Sequence, residues 1–123
     1  LYGSSLTPAQ VVEMSGVFPD ADVAAAVAAI KGGFDACKRS VGAIVASGYG
    51  LDSVLEKVLD ALIADASIAP DAKATIAERF AAVDKRLVDG ADEELQLMDL
   101  FASSFRAIAG VKIEADRMRT LII

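Results

Sequence analysis

The chain has 123 residues, with 12 basic against 18 acidic side chains, a net charge of −6, 54% hydrophobic but only 6% aromatic residues, and neither histidine nor tryptophan. That length suits one domain around one core, and the acidic balance argues against a face that grips a phosphate backbone. No apolar run reaches the roughly eighteen residues of a membrane span, and the opening LYGSSLTPAQ has neither the basic nor the apolar stretch of a signal peptide.

In chain order, the first predicted helix opens at Thr7 as N-cap, with Pro8 at the first helical position and Gln10 closing a capping box. Gly16 ends it. A second helix starts near Asp20 and Asp22, puts Val23, Val27 and Ile30 on one face, and breaks at Gly32-Gly33. The third runs from Phe34 to Ser47 with Cys37, Val41 and Ile44 in line, and Gly42 inside it suggests a close helix crossing. The fourth has the clearest stripe: Leu51, Val54, Leu55, Val58, Leu59 and Leu62 recur at intervals of three and four.

Pro70 and Asp71 mark the start of the fifth helix. It carries Ile76, Phe80, Val83 and Leu87 as a narrow stripe and stops at Gly90, where a short turn calls for positive φ. The sixth begins near Asp92 and reaches about Ala109. Only the tail after Gly110 hints at the alternation of a strand. The sequence therefore predicts an all-α chain, a compact bundle of five to six short helices.

Little in the chain looks like chemistry. Without histidine there is no Ser-His-Asp triad and no Cys/His zinc site. No glycine run is followed by the Lys of a phosphate-binding loop. Cys37 has no internal disulfide partner, which fits a reducing compartment. It lies on an apolar helical stripe and reads as a packed core thiol. Asp89, Asp92, Glu93 and Glu94 gather at the mouth of the sixth helix, but a helix start ordinarily attracts carboxylates, and their spacing is not that of a calcium loop. The pairs Glu78 with Arg79 and Asp84 with Lys85-Arg86 read as solvated faces or surface pairs.

The apolar half of the sixth helix says more. With Leu95 added to Leu97, Met98, Leu100, Phe101, Phe105 and Ile108, its apolar arc spans roughly 220°, where a helix resting on one core needs about 100°. Either its own domain buries it on two sides, or one face serves the core and another serves a partner chain. The second alternative makes Leu95, Leu97, Leu100, Phe101, Ser104 and Phe105 candidate subunit-interface residues. A rival class, a stand-alone ligand-binding or regulatory bundle, needs a polar group inside an apolar cavity. Only Ser103 and Ser104 offer one.

AAVDKRLVDGADEELQLMDLFASSF resembles the C-terminal collar domain of the small subunits of replication factor C, the eukaryotic clamp loader. The resemblance rests on Arg86-Leu87, the Gly90-Ala91 turn, Glu94 and Leu95-Gln96-Leu97. Upstream, TPAQVVEMSGVFPDADVAAAVAAIKGGFDA is similar to the segment joining lid to collar in that family. The runs at 82–85 and 90–93 resemble the subunit-4 type most.

The resemblance implies an oligomerisation domain without an active site. Collars of this family hold together a pentameric ring of ATPase subunits that loads the PCNA clamp onto primer-template DNA in the nucleus, during replication and repair. It assigns residues 1–5 to the end of a lid segment, 6–110 to the collar and 111–123 to a tail of unassigned structure. The first residue, Leu1, is no initiator methionine, which suggests an excised piece of a longer protein. The family's ATP- and magnesium-binding residues belong upstream of that piece. No cofactor and no direct DNA contact is expected of these residues.

Overall fold

The computed structural model describes residues 16–122, and the side chains of residues 16–110. Among the described residues there are five α-helices and no strand: α1 (Asp20–Gly32), α2 (Phe34–Ser47), α3 (Leu51–Ala64), α4 (Pro70–Val88) and α5 (Glu93–Ile122). The helix expected from Thr7 to Gly16 lies outside the described residues.

Each helix buries the stripe its spacing dictates. Val23, Ala26 and Ile30 of α1, Cys37, Val41 and Ile44 of α2, and Val54, Leu55, Val58 and Leu62 of α3 all point into one core. Ala72, Ile76, Phe80 and Val83 of α4 join them. At the start of the described chain, Phe18 is buried, its ring edge-on to Tyr49 at a centroid distance of 5.6 Å. Its N–H donates to Ser53 Oγ at 3.2 Å, which ties the entry of α1 to α3.

The centre of the bundle is α5. It packs along α4 and also against α2 and α1, while α3 bridges α1 and α4. Three neighbours within one chain cover much of an apolar arc too broad for a single contact surface, and leave Leu95 at its edge exposed. Leu97, Leu100 and Phe101 are 0% exposed, and burying each contributes about 1.5–3 kcal/mol.

Two expectations are corrected. Gly42 is exposed and a Cβ there would meet nothing within 4 Å, so it marks no helix crossing. The last helix does not stop near Ala109. It continues through Gly110 to Ile122, 30 residues and about 45 Å in all. A mid-helix glycine costs about 1 kcal/mol relative to alanine but stops nothing unless the backbone turns left-handed there.

Gly90 is where the backbone does turn. Its φ is +94°. The Ala91 N–H donates to Arg86 O at 3.0 Å and the Gly90 N–H to Leu87 O at 3.1 Å. That is the Schellman pattern, which satisfies the last carbonyls of α4 while turning the chain into α5. A second polar device ties α1 to the α3–α4 loop. Asp65 accepts the Ser67 N–H at 2.9 Å and the Ser67 hydroxyl at 2.6 Å, and Lys31 at the end of α1 donates to both Asp65 and Ser67. The Lys31 ammonium, and then Ser67, hold the Asp65 carboxyl well below the usual carboxylate range.

Two experiments follow from these joints. Among the described residues a Cβ at Gly90 meets no neighbour within 4 Å, so the cost of Gly90→Val is backbone strain. We expect a loss of about 1–2 kcal/mol, against a gain of about 0.5–1 kcal/mol for Gly42→Ala in open space on α2; urea unfolding midpoints measure both. The second concerns pH. A carboxyl with a depressed folded pKa stabilises the fold above its ordinary value of about 4 and loses that contribution as pH falls through the folded value. The melting-temperature difference between the wild-type chain and Asp65→Asn should therefore be largest near neutrality and shrink on acidification.

Candidate subunit interface

The acid at the mouth of α5 is a helix start. Asp92 is the N-cap: its carboxylate accepts the Leu95 N–H at 2.9 Å, and its carbonyl accepts the Gln96 N–H at 3.0 Å. Glu93 and Glu94 follow in the first turn, exposed, where the partial positive charge of the helix end favours carboxylates. Asp89 caps the end of α4 and is also exposed. Among the described residues no group of three or more His, Cys, Asp or Glu side chains is arranged to hold a metal ion.

One acid of this stretch that the local pattern does not single out is Asp99. From α5 it meets Arg79 and Arg86 of α4, each at 3.5 Å. Arg86 also reaches Gln96 Oε1 at 3.5 Å. The arginines thus pair across the helix–helix seam, and the sequence-adjacent acids Glu78 and Asp84 form no ion pair among the described residues. Both arginines are substantially exposed, so each pair contributes about 1 kcal/mol at most. Their main effect is to fix the register of α4 on α5.

The six candidate interface residues divide. Leu97, Leu100 and Phe101 lie wholly inside the chain's own core, and Ser104 is buried with them. The Ser104 hydroxyl donates to Leu100 O at 2.8 Å, one turn back, and so is satisfied within its own helix. Within this chain α1, α2 and α4 cover that part of the arc, and these four side chains pack into the domain's own core. Leu95 is different: it is 69% exposed. Phe105 is half-buried, packed against the core edge.

Around Leu95 the structure assembles a surface that periodicity alone does not show. Phe34, the first residue of α2, is 57% exposed. With Leu95 and Met98 it lines two adjoining grooves between α2 and α5; one also touches Lys38 and Glu94, and the other continues to Ala102, Phe105 and Arg106. Phe34 belongs by spacing to the buried stripe of Cys37, Val41 and Ile44. It stays outside because the stripe runs past the edge of the core at the first turn of α2. The result is an apolar strip, Phe34–Leu95–Met98–Phe105, edged by charges of both signs. Adjacent apolar side chains with a charged border are the composition of a protein–protein contact.

Beneath this strip, Cys37 joins three helices. It is fully buried, and its Sγ lies 3.4 Å from Ala29 O of α1 and 3.8 Å from Phe101 O of α5. Burial pushes its thiol pKa up. This is a packing residue, with none of the exposure or electropositive surroundings of a reactive thiol.

Comparison with known proteins gives one consistent result. The family described as the replication factor C C-terminal domain matches residues 18–103. The chain is 36% identical over 109 residues to replication factor C subunit 2 of Oryza sativa subsp. japonica, an overlap of 88% of this chain and 32% of that protein. It is 40% identical over 111 residues to replication factor C subunit 4 of Arabidopsis thaliana, covering 89% and 33%. To subunit 4 of Homo sapiens it is 29% identical over 108 residues, covering 87% and 30%. The chain spans about a third of the length of the curated relatives it matches. Similarity to proteins named subunit 2 and subunit 4 alike leaves the subunit type unresolved, so the subunit-4 expectation is too fine.

The division between core and surface has a direct consequence for stability. Phe101→Ala should cost about 3–5 kcal/mol in chemical unfolding, the usual loss for an aromatic removed from a core. Leu95→Asp should change the same measurement by about 0.5 kcal/mol or less, as at other exposed sites.

Proposed function

Since this chain belongs to the replication factor C C-terminal domain family, we propose that it is the collar of a clamp-loader subunit, whose task is to hold that subunit against its siblings. The matched domain is not the ATPase module of such a subunit. The observation that carries the assembly reading is the Phe34–Leu95–Met98–Phe105 strip, two of whose members are more than half exposed although both are large and apolar. Covering them with a neighbour's apolar side chains would contribute roughly 25 cal/mol per Å² before the costs of association.

In this reading residues 6–110 make the collar, residues 1–5 close a lid segment, and 111–123 form a tail carried on α5 as far as Ile122. The partners are other replication factor C subunits. Through the complete complex the partners extend to PCNA and primer-template DNA in the nucleus, with ATP and magnesium handled by an ATPase module outside this domain. The acidic balance agrees with a domain that does not itself hold DNA. No helix among the described residues is long and apolar enough to cross a membrane. The rival ligand-binding bundle is not favoured: Ser104 spends its hydroxyl on its own helix, and the apolar grooves named above are open to solvent.

Co-expression with sibling replication factor C subunits tests the proposal. Phe34→Asp with Leu95→Asp should leave the chain folded but lower its recovery in the assembled complex about tenfold or more, the effect of losing two interface anchors of 1 kcal/mol or more each. Undiminished recovery of the double variant would place the contact elsewhere on the domain.

A further inference from the structure

On the α3–α4 pair lies a groove of about 310 Å³ that shares no residue with the proposed assembly strip. Its floor is Leu55, Leu59 and Phe80, and the short side chains of Ala77 and Ala81 leave that floor open. Its rim is acidic. Asp52 and Glu56 stand one turn apart on α3, Asp84 stands on α4, and among the described residues no basic side chain lines the groove. All three carboxylates are exposed, and among the described residues none takes part in an ion pair, whereas Asp20, Asp65 and Asp99 each do.

The two features together define what would fit. An apolar cavity of about 150 Å³ accepts a benzene ring, so this floor has room for one or two large apolar side chains. Three unneutralised carboxylates around it repel nucleic acid and anionic lipid surfaces, and they favour Lys or Arg beside the apolar anchor. A second copy of this chain, itself carrying −6, is a poor match for that rim. We infer that the α3–α4 groove docks an amphipathic helix of a different protein, one with an apolar anchor flanked by basic side chains. The inference does not depend on the assembly reading, because the groove and the strip are separate surfaces.

The test uses two synthetic helical peptides carrying a fluorophore, both with Leu and Phe anchors four residues apart. One has Lys at the flanking positions and the other Glu. Each is titrated into the full 123-residue chain by fluorescence anisotropy. The Lys peptide should bind, more weakly as salt rises, and roughly tenfold or more tighter than the Glu peptide. Neutralising the rim with Asp52→Asn, Glu56→Gln and Asp84→Asn together should weaken the Lys peptide roughly tenfold, three surface pairs at a fraction of a kcal/mol each. Ala81→Trp, at an exposed position, should fill the groove and abolish binding at an unchanged melting temperature; if that variant melts early, the rim variant alone decides. Amide shifts on binding should fall at Leu55, Leu59 and Phe80. The proposal is overturned if the Lys peptide does not bind, if both peptides bind equally, if the rim variant binds undiminished, or if the shifts fall at Phe34 and Leu95 instead.

Discussion

Everything in this domain depends on covering α5. Leu97, Leu100 and Phe101 occupy successive positions on a helix that no single neighbour could bury, and α1, α2 and α4 share the task. Because side chains on a helix radiate at about 100° per residue, a wide apolar arc forces a layered arrangement: a central helix with others around it. α3 need not lie against α5 to any extent, and completes the core by bridging α1 and α4. Cys37 shows how tight this packing is. It is a small side chain set where three helices meet, its thiol against the backbone carbonyls of Ala29 and Phe101.

The polar residues serve that central packing. Gly90 turns the chain out of α4 with its carbonyls satisfied, and Asp92 two residues later starts α5 with its own cap, so the two longest helices are joined by a short stiff corner. Further along the same seam Arg79 and Arg86 converge on Asp99. At the other side of the bundle, Lys31, Asp65 and Ser67 hold the end of α1 to the loop that starts α4. None of these contacts is worth much as an exposed ion pair. Their value is in register, since a helix that slips by one residue turns its apolar stripe by about 100° away from the core.

What is left over after the core is satisfied is where function can reside. Among the described residues two surfaces stand out. One is apolar with charges of both signs at its edge, between α2 and α5. The other is apolar-floored with a rim of carboxylates, between α3 and α4. Their different electrostatics suit different partners, as a domain that joins a larger assembly at one face and meets another chain at a second would require.

By itself the sequence determined the all-α class, the bounds of α1 to α4 within about two residues, the Gly90 corner, the start of the last helix near Asp92 and the core thiol at Cys37. These follow from local rules: helical spacing of apolar residues, capping chemistry and the left-handed preference of glycine all act within a few residues of chain. The family was legible too, in the order of Arg86-Leu87, the Gly90 turn and Leu95-Gln96-Leu97. Only the tertiary structure decided how the broad arc of α5 is divided. Spacing places Leu95 and Leu97 about 160° apart on one broad apolar arc and Phe34 in line with Cys37, yet Leu97 and Cys37 are buried while Leu95 and Phe34 face solvent. Periodicity gives the direction in which a side chain points, but not whether another helix extends far enough to cover it. Gly110 and Asp99 teach the same lesson. Whether a glycine ends a helix, or an acid finds its arginine, depends on what lies across the bundle, and that is fixed by packing between segments distant in sequence.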